Sequence, residues 1–502
     1  MKLSRRHWIL SSAAAIGCRA AKRPTGELVL SLAEDRGQLD PARLIAQDWN
    51  PLAQVYETLV RRERDGLIAA GLARGWRRVD EREWRFDLRR DVVFHNGGRM
   101  DARAAARSIE RAAQVHGSGQ PVDLASVSAD ESSLTIRTRA PFAPLLDYLA
   151  YINFGISSGD LKGTGPFALT SYDREDRVHL VRNEAYWGAR PWFQQIEYRF
   201  LPDAPTRLLA IEAGELDGMR AVPSCELRRL RQKHAVSVST GPGRHMHFLG
   251  FNMTWSPMRD EFRDRRFREA VNIAVDRLAI AGIFDGVIEE ASSPVPPWMI
   301  GAVKLSAYTR DLRRAHELLD ACGWSRIGGR RVKGGRDLRL RLYYHPTWLP
   351  QSQMLAELLQ AQLAEAGIGL HLWPADWPAA NTAERAGLAD IRHRGLTFSV
   401  GGTHFGLWTG FSASNSERTS VHYTHPEIEE RLKASLSAQD ANPHYAAIQR
   451  HVREEHVIVP LFYERELFAV RREVRDFPAP HPFIYPLDLT HAYRSEAHGQ
   501  RA

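Results

Sequence analysis

The chain is poor in cysteine and lysine, has no long apolar run, and carries none of the common catalytic signatures. Three cysteines in 502 residues, Cys18, Cys225 and Cys322, exclude a disulfide-built scaffold, and their spacing excludes a cysteine zinc site. Cys322 falls on the apolar stripe of a predicted helix and is expected as a buried free thiol; a Cys225–Cys322 bridge is the alternative in an oxidising compartment. Seven lysines among 68 basic residues leave arginine as almost the only cation. The net charge of +8 is dispersed among 60 acidic residues without a basic block, which argues against a nucleic-acid face and is compatible with an anionic membrane surface. There is no Gly-rich loop ending in Lys-Ser/Thr, no His-Glu-x-x-His and no Gly-x-Ser-x-Gly. No catalytic residue and no cofactor is assigned on this basis.

What is present describes a water-soluble, multidomain chain. Its length predicts two or three domains, and 43% hydrophobic with 25% charged residues suits packed cores with a charged surface. Residues 1–26 read as an export signal. Arg5-Arg6 precedes a short apolar run, a pattern that resembles a twin-arginine signal. Ala15-Ile16-Gly17-Cys18 resembles a lipobox, with Ala15 where leucine is usual, so Cys18 is the expected lipidation site and the anchor to the membrane.

One stretch organises the remainder. Gly163-Thr164-Gly165-Pro166-Phe167 combines backbone freedom with a fixed exit. Alternation at Phe167, Leu169 and Tyr172, then at Val178, Leu180 and Arg182, predicts two strands turned at residues 173–176, followed by the aromatic plug Asn183-x-x-Tyr186-Trp187. Other strands are expected at Glu27–Leu32, Trp84–Leu88, around 198–201, 244–252 and 368–372, and at 457–463, where Pro460 suits an edge. Helices are expected at 48–60, at 102–113 with Asp101 as N-cap, at 205–213, 311–321, 353–366 and 445–452. A further helix from Phe262 carries apolar residues at 267, 270, 271, 274, 275 and 278.

These motifs, in this order, resemble the extracytoplasmic solute-binding proteins of the peptide and nickel class of ABC importers. The resemblance rests on Leu39-Asp40-Pro41, Tyr56-Glu57-Thr58-Leu59-Val60, Val92-x-Phe94-His95-x-Gly97, the Gly163–Phe167 turn and Asn183-x-x-Tyr186-Trp187. It extends through Ile211-x-x-Gly214-Glu215-Leu216-Asp217 and Arg263-Asp264-x-x-x-Arg268-Glu269-Ala270-Val271, and covers roughly residues 27–470. It implies an α/β, two-lobed periplasmic-binding-protein fold (class II, cluster C) with an extra small α+β domain inserted in lobe I. On that analogy lobe I comprises 27–43, 159–247 and 460–502, the inserted unit 44–158, and lobe II 248–459. The implied function is capture of a peptide or similar small solute by hinge closure and delivery to ABC permease subunits, by a monomer tethered outside the cytoplasm. A receptor for an anionic solute or a metal chelate such as nickel is the alternative, and an enzyme on the same frame a third reading.

By the same resemblance the ligand-binding residues are expected at Glu34, Asp35 and Arg36 on one lobe and within 392–408 on the other, with His247 and Asn252 from the strand at 244–252. Peptide binders carry an aspartate in the second segment, yet from Ile391 to Ser416 there is no acidic residue. Arg392, Arg394, His404, Phe405 and Trp408 stand there instead, and a peptide α-ammonium would meet no counter-charge. The bland reading is that these cations and histidines face solvent. His422 and His425, with His404 nearby, could converge on a metal. Isolated pairs without an acid or cysteine partner are usually incidental, so no metal ligand is assigned. His451 and His456 flank Glu454-Glu455 and read as a solvated helix surface.

Overall fold

The computed structural model describes residues 26–33, 39–43, 50–116, 122–398, 402–413, 421–481 and 488–495. Among these, one eleven-stranded sheet runs through the molecule in the order Gly369–Pro374, Arg339–Tyr344, Ile391–Thr397, Val236–Phe251, Ile458–Arg471, Gly218–Arg220, Glu27–Leu32, Gln195–Phe200, Arg177–Arg182, Phe167–Asp173, with Glu289–Glu290 pairing off this path. Its centre is the antiparallel pair Val236–Phe251 and Ile458–Arg471. The first halves of this pair, from Val236↔Arg471 to Pro242↔Arg465, belong to the lobe built on Glu27–Leu32. Past the register shift at 242/246, and through a second at 247/248, the strand stays paired to its central partner while His245–Phe251 also pairs with Ile391–Thr397 of the other lobe. Two strands therefore carry the connection between the lobes.

Pro460 lies in this central strand, not on an edge. The ladder breaks where it sits: the shift between His247 and Phe248 falls opposite Pro460, so its missing N–H costs no regular bond. The helix expected from Phe262 is likewise broken. Asp264 and Asp276 each accept from a backbone N–H as N-caps, dividing the segment into Arg259–Arg263, Arg265–Ala274 and Arg277–Ile283. Phe267, Ala270, Val271 and Ala274 are buried as the stripe requires, whereas Leu278, beyond the break, is 72% exposed. Of the helix expected at 48–60, the described part is helical over Asn50–Val55 and gives way to a short strand at Val60–Arg62. Cys225 is exposed and Cys322 half-buried, and both are free; Cys322 is the C-cap of Leu312–Ala321, past the buried Ala315, Leu318 and Leu319.

Residues 73–138 form a separate four-stranded sheet, Ala73–Arg78, Glu83–Leu88, Ser133–Thr138 and Leu124–Ala129, with Ala102–His116 packed beside it. Alternation places Trp84, Phe86 and Leu88 inward, as their spacing predicts. This sheet does not own its core. One continuous apolar cluster runs from Phe86, Ile109 and Ile136 through Tyr148 and Phe154 to Leu28, Phe167 and Tyr198 of the first lobe.

The junction is held by a buried carboxylate. Glu57 accepts from the Thr164 hydroxyl at 2.9 Å, the Tyr186 hydroxyl at 3.0 Å and the Trp187 indole N–H at 2.9 Å. Arg89 lies over the Trp187 ring, 4.0 Å from its centroid. Asn183 donates to Gly165 O at 3.1 Å, and Gly165 N–H donates to Val55 O at 3.0 Å. The Gly163–Phe167 turn thus lies directly against residues 54–57. A Cβ at Gly163 would stand 1.8 Å from Val55 O, so only glycine permits this approach.

Burial pushes the Glu57 carboxyl up to about 7, against the three donors and Arg89. Because its folded-state value lies above the unfolded one, the native state binds the extra proton between pH 4.5 and 7. Its contribution to stability is therefore full below pH 4.5 and lost as pH rises to about 7. Urea unfolding from pH 4.5 to 8 is expected to show this slope in the wild type, on the order of 3 kcal/mol in total. Glu57→Gln should remove it; identical slopes in the two proteins would contradict the assignment. Gly163→Ala should cost about 3 kcal/mol in the same assay.

Candidate ligand cleft

The lobes meet along the crossing strands and again at contacts remote from them. Tyr148, in Leu145–Leu149, places its hydroxyl 3.3 Å from Nδ1 of His404, which lies in Gly402–Phe411 of the second lobe. The His404 ring stands edge-on to Phe142 at 5.9 Å, and Phe405 meets Tyr148 edge-on at 6.3 Å and packs on the first-lobe cluster. Nearby, Ala143 N–H donates to Leu436 O at 2.6 Å. Elsewhere the Gln351 amide donates to Ser224 Oγ at 2.9 Å. Side chains of the two lobes are therefore in contact at these points. Burial lowers His404 to about 4, so its ring is neutral at physiological pH and its contact with Tyr148 is a neutral hydrogen bond. Trp408, on the same helix, is half-buried against a second-lobe cluster. Gly406 lets this helix lie on Phe398, since a Cβ there would fall 2.2 Å from the Phe398 ring.

Arg392 and Arg394 do not face solvent. Arg392 is 1% exposed, and its Nη1 donates to Asn381 Oδ1 at 2.7 Å and to Glu384 Oε2 at 2.9 Å. Arg394 donates to the same Glu384 oxygen at 2.5 Å, and His422 Nε2 lies 3.2 Å from Oε1. Burial works against a charged Glu384, but His422, Arg394 and Arg392 together hold its carboxyl down to about 2. The counter-charge absent from 391–416 thus comes from the preceding helix, Trp377–Arg385. The Arg392 guanidinium also lies over Trp377, 5.5 Å from its ring centroid.

Beside this network, on the crossing strand, His247 is fully buried between Trp348, with centroids 4.4 Å apart, and Phe462, stacked at 4.5 Å. Its Nδ1 lies 3.1 Å from His393 Nε2, while its Nε2 has no hydrogen-bond partner among the described residues. Burial depresses both rings, His393 to about 3, so the pair is uncharged. His245 stands next to them with Nδ1 2.6 Å from Glu464 Oε2. Asn252 is committed to the backbone: its amide donates to Glu384 O at 3.0 Å and Ala389 O at 2.9 Å, and Oδ1 accepts from Trp255 N–H at 3.0 Å. Glu34, Asp35 and Arg36 lie outside the described residues. Sequence reasoning missed Glu384, Trp348 and Phe462; only Glu384 had a legible signal, a lone acid in a helix preceding an arginine-bearing strand.

The model of the bacterial extracellular solute-binding proteins, family 5, matches residues 68–418. The chain belongs to this family. It is 28% identical over 368 residues to the nickel-binding periplasmic protein of Escherichia coli K12, covering 67% of this chain and 68% of that one. To the probable D,D-dipeptide-binding periplasmic protein DdpA of the same organism it is 25% identical over 494 residues, covering 90% and 92%. Among solved structures, NikA from Brucella suis in complex with Fe(III)-EDTA superposes with a TM-score of 0.84 at 24% identity, covering 93% of this chain and all of that one. DppA from Helicobacter pylori with the peptide STSA gives 0.77 at 22% identity, covering 94% and 98%. The two-lobed architecture is thus common to this chain and both structures. As a family 5 protein, the chain is an extracytoplasmic solute-binding component of an ABC importer.

Glu384 is expected to be the most sensitive charge of this buried cluster. Glu384→Gln leaves two buried guanidiniums without a carboxylate and should cost about 3 kcal/mol in chemical denaturation, whereas exposed Glu63→Gln, whose partner is Arg61, should change stability by less than about 1 kcal/mol. Equal losses for the two would show that the buried cluster is not the stronger interaction.

Proposed function

We propose that the cleft takes a peptide or similar small solute whose amino end is blocked or absent, with an anionic solute or metal chelate as the second reading. One observation carries this. The only carboxylate described beside Arg392 and Arg394 is already shared between them, and the nearby rings of His247 and His393 are neutral. At the two guanidiniums the balance is positive, so an ammonium brought against them would be buried without a counter-charge, at a cost of several kcal/mol. Uncharged and anionic groups avoid that penalty. The names of the relatives, probable D,D-dipeptide-binding for one and nickel-binding for another, are consistent with a peptide-like solute and with a metal chelate, and say nothing of the amino end.

Closure draws on Tyr148–His404 and Gln351–Ser224, contacts across the lobes that exist only while the lobes are together. A ligand contacting both lobes shifts the population toward this state, which is the form a permease distinguishes. The protein acts as a monomer, held at the membrane by lipid on Cys18 after twin-arginine export, and performs no catalysis. The moving bodies follow the sequence division, 27–43, 159–247 and 460–502 with the 44–158 unit on one side and 248–459 on the other. Glu34, Asp35 and Arg36 complete the ligand site from the first lobe.

Calorimetric titration with paired peptides, one free and one N-acetylated, tests the ligand class. The acetylated member should bind at least as tightly; tight binding that requires the free amine overturns the reading. His404→Ala removes the interlobe contact and should weaken the ligand about tenfold, mainly through faster dissociation. An unchanged off-rate would place the closing contacts elsewhere.

A further inference from the structure

We propose a second site, for a divalent transition-metal ion, formed by His425, Glu427 and His451 on a helical hairpin of the second lobe. It is independent of the ligand class assigned to the cleft. Sequence spacing groups His425 with His422 and His404, but the fold separates them: His422 turns to Glu384 and His404 to Tyr148. His425 instead meets His451, with ring centroids 4.2 Å apart. The reason is the hairpin itself. His425 is the N-cap of Pro426–Ser435, Glu427 lies in its first turn, and His451 lies in the last turn of Asn442–Glu454, so the antiparallel pair brings one start against the other end.

The three side chains offer ligand atoms that all lie within 4.8 Å of one another, two imidazole nitrogens and a carboxylate oxygen. That donor set suits Zn²⁺, Ni²⁺ or Cu²⁺ over Mg²⁺ or Ca²⁺, which prefer oxygen alone. The orientation of His451 is already set. The Tyr423 hydroxyl lies 3.0 Å from its Nε2, leaving Nδ1 directed at Glu427 Oε2, 3.3 Å away. A hydrogen bond on the far nitrogen of a ligating imidazole is the usual means of fixing its ring. The Tyr423 ring also lies parallel to His425, at 4° and 6.1 Å. His425 Nδ1 accepts from Glu427 N–H at 3.3 Å, a long bond that a metal on that nitrogen would displace at little cost. Arg431, 4.0 Å from Glu427 Oε1, is the opposing charge, and an exposed pair of that length is weak.

The site reaches inward. Tyr423 adjoins His422, whose Nε2 lies 3.2 Å from the Glu384 carboxylate behind the cleft. An ion at the hairpin would therefore steady residues 422–425, which link the outer surface to the buried arginine cluster.

The untagged protein, stripped with chelator, is titrated with Zn²⁺ by calorimetry. The wild type should show saturable binding below about 100 μM, and His425→Asn/His451→Gln should lose one equivalent or bind at least about tenfold more weakly. Saturating Zn²⁺ should raise the thermal midpoint of the wild type and leave that of the double variant unchanged. His404→Asn, a cleft variant, should keep the Zn²⁺ equivalent, which separates this site from a metal in the cleft. Glu427→Gln, retaining both rings and the helix cap, should also weaken binding about tenfold and serves where the double variant does not fold. Unchanged stoichiometry and affinity in these variants, or no saturable Zn²⁺ binding by the wild type, overturns the proposal.

Discussion

The antiparallel pairing of Val236–Phe251 with Ile458–Arg471 is the constraint on which the remainder of the molecule depends. Each strand serves one lobe with one half and crosses toward the other with its second half. Along the second of these strands Leu467 and Ala469 belong to one apolar cluster and Val459 and Leu461 to another. Relative motion of the lobes must then be taken up near the register shifts at 242–248, where the ladder is already irregular. His247 and Phe462 stack within this same region.

Two buried carboxylates solve opposite problems. Glu57 receives three neutral donors and is pushed up by burial, to about 7; it joins the four-stranded unit to the first lobe without needing a permanent charge. Glu384 receives two guanidiniums and the edge of His422 and stays ionised, held down to about 2. The first organises chain segments that are distant in sequence. The second neutralises cations that would otherwise be stranded within the protein.

Much of the fold was legible because its signals are local. Asp101, Asp203 and Asp311 precede helices they cap, and Gly214, Gly323 and Gly367 follow helices with positive φ, so composition marks those ends directly. Alternation identified Glu27–Leu32 and Glu83–Leu88. The helix from Phe262 was misread because an apolar period continues through Val275 and Leu278 although Asp264 and Asp276 restart the helix twice. Family motifs located Tyr56-Glu57 and Tyr186-Trp187 but not their meeting, since hydrogen bonds between residues 130 apart leave no periodic trace. The candidate cleft was legible only in part. The arginines were visible; their partner Glu384 stands in the preceding helix, outside the 391–416 segment, and burial, not residue type, decides that they do not face water.

The register of the central pair has one further consequence. Phe248 stands opposite Pro460, so the polypeptide departs for the second lobe and returns from it at adjacent positions of one ladder. In topological terms everything between those two residues is a single excursion from a β-hairpin. Such an excursion can be exchanged, trimmed or elaborated during evolution while both cut points stay side by side. The second lobe can thus diverge as a cassette while the ladder that holds its two ends stays intact.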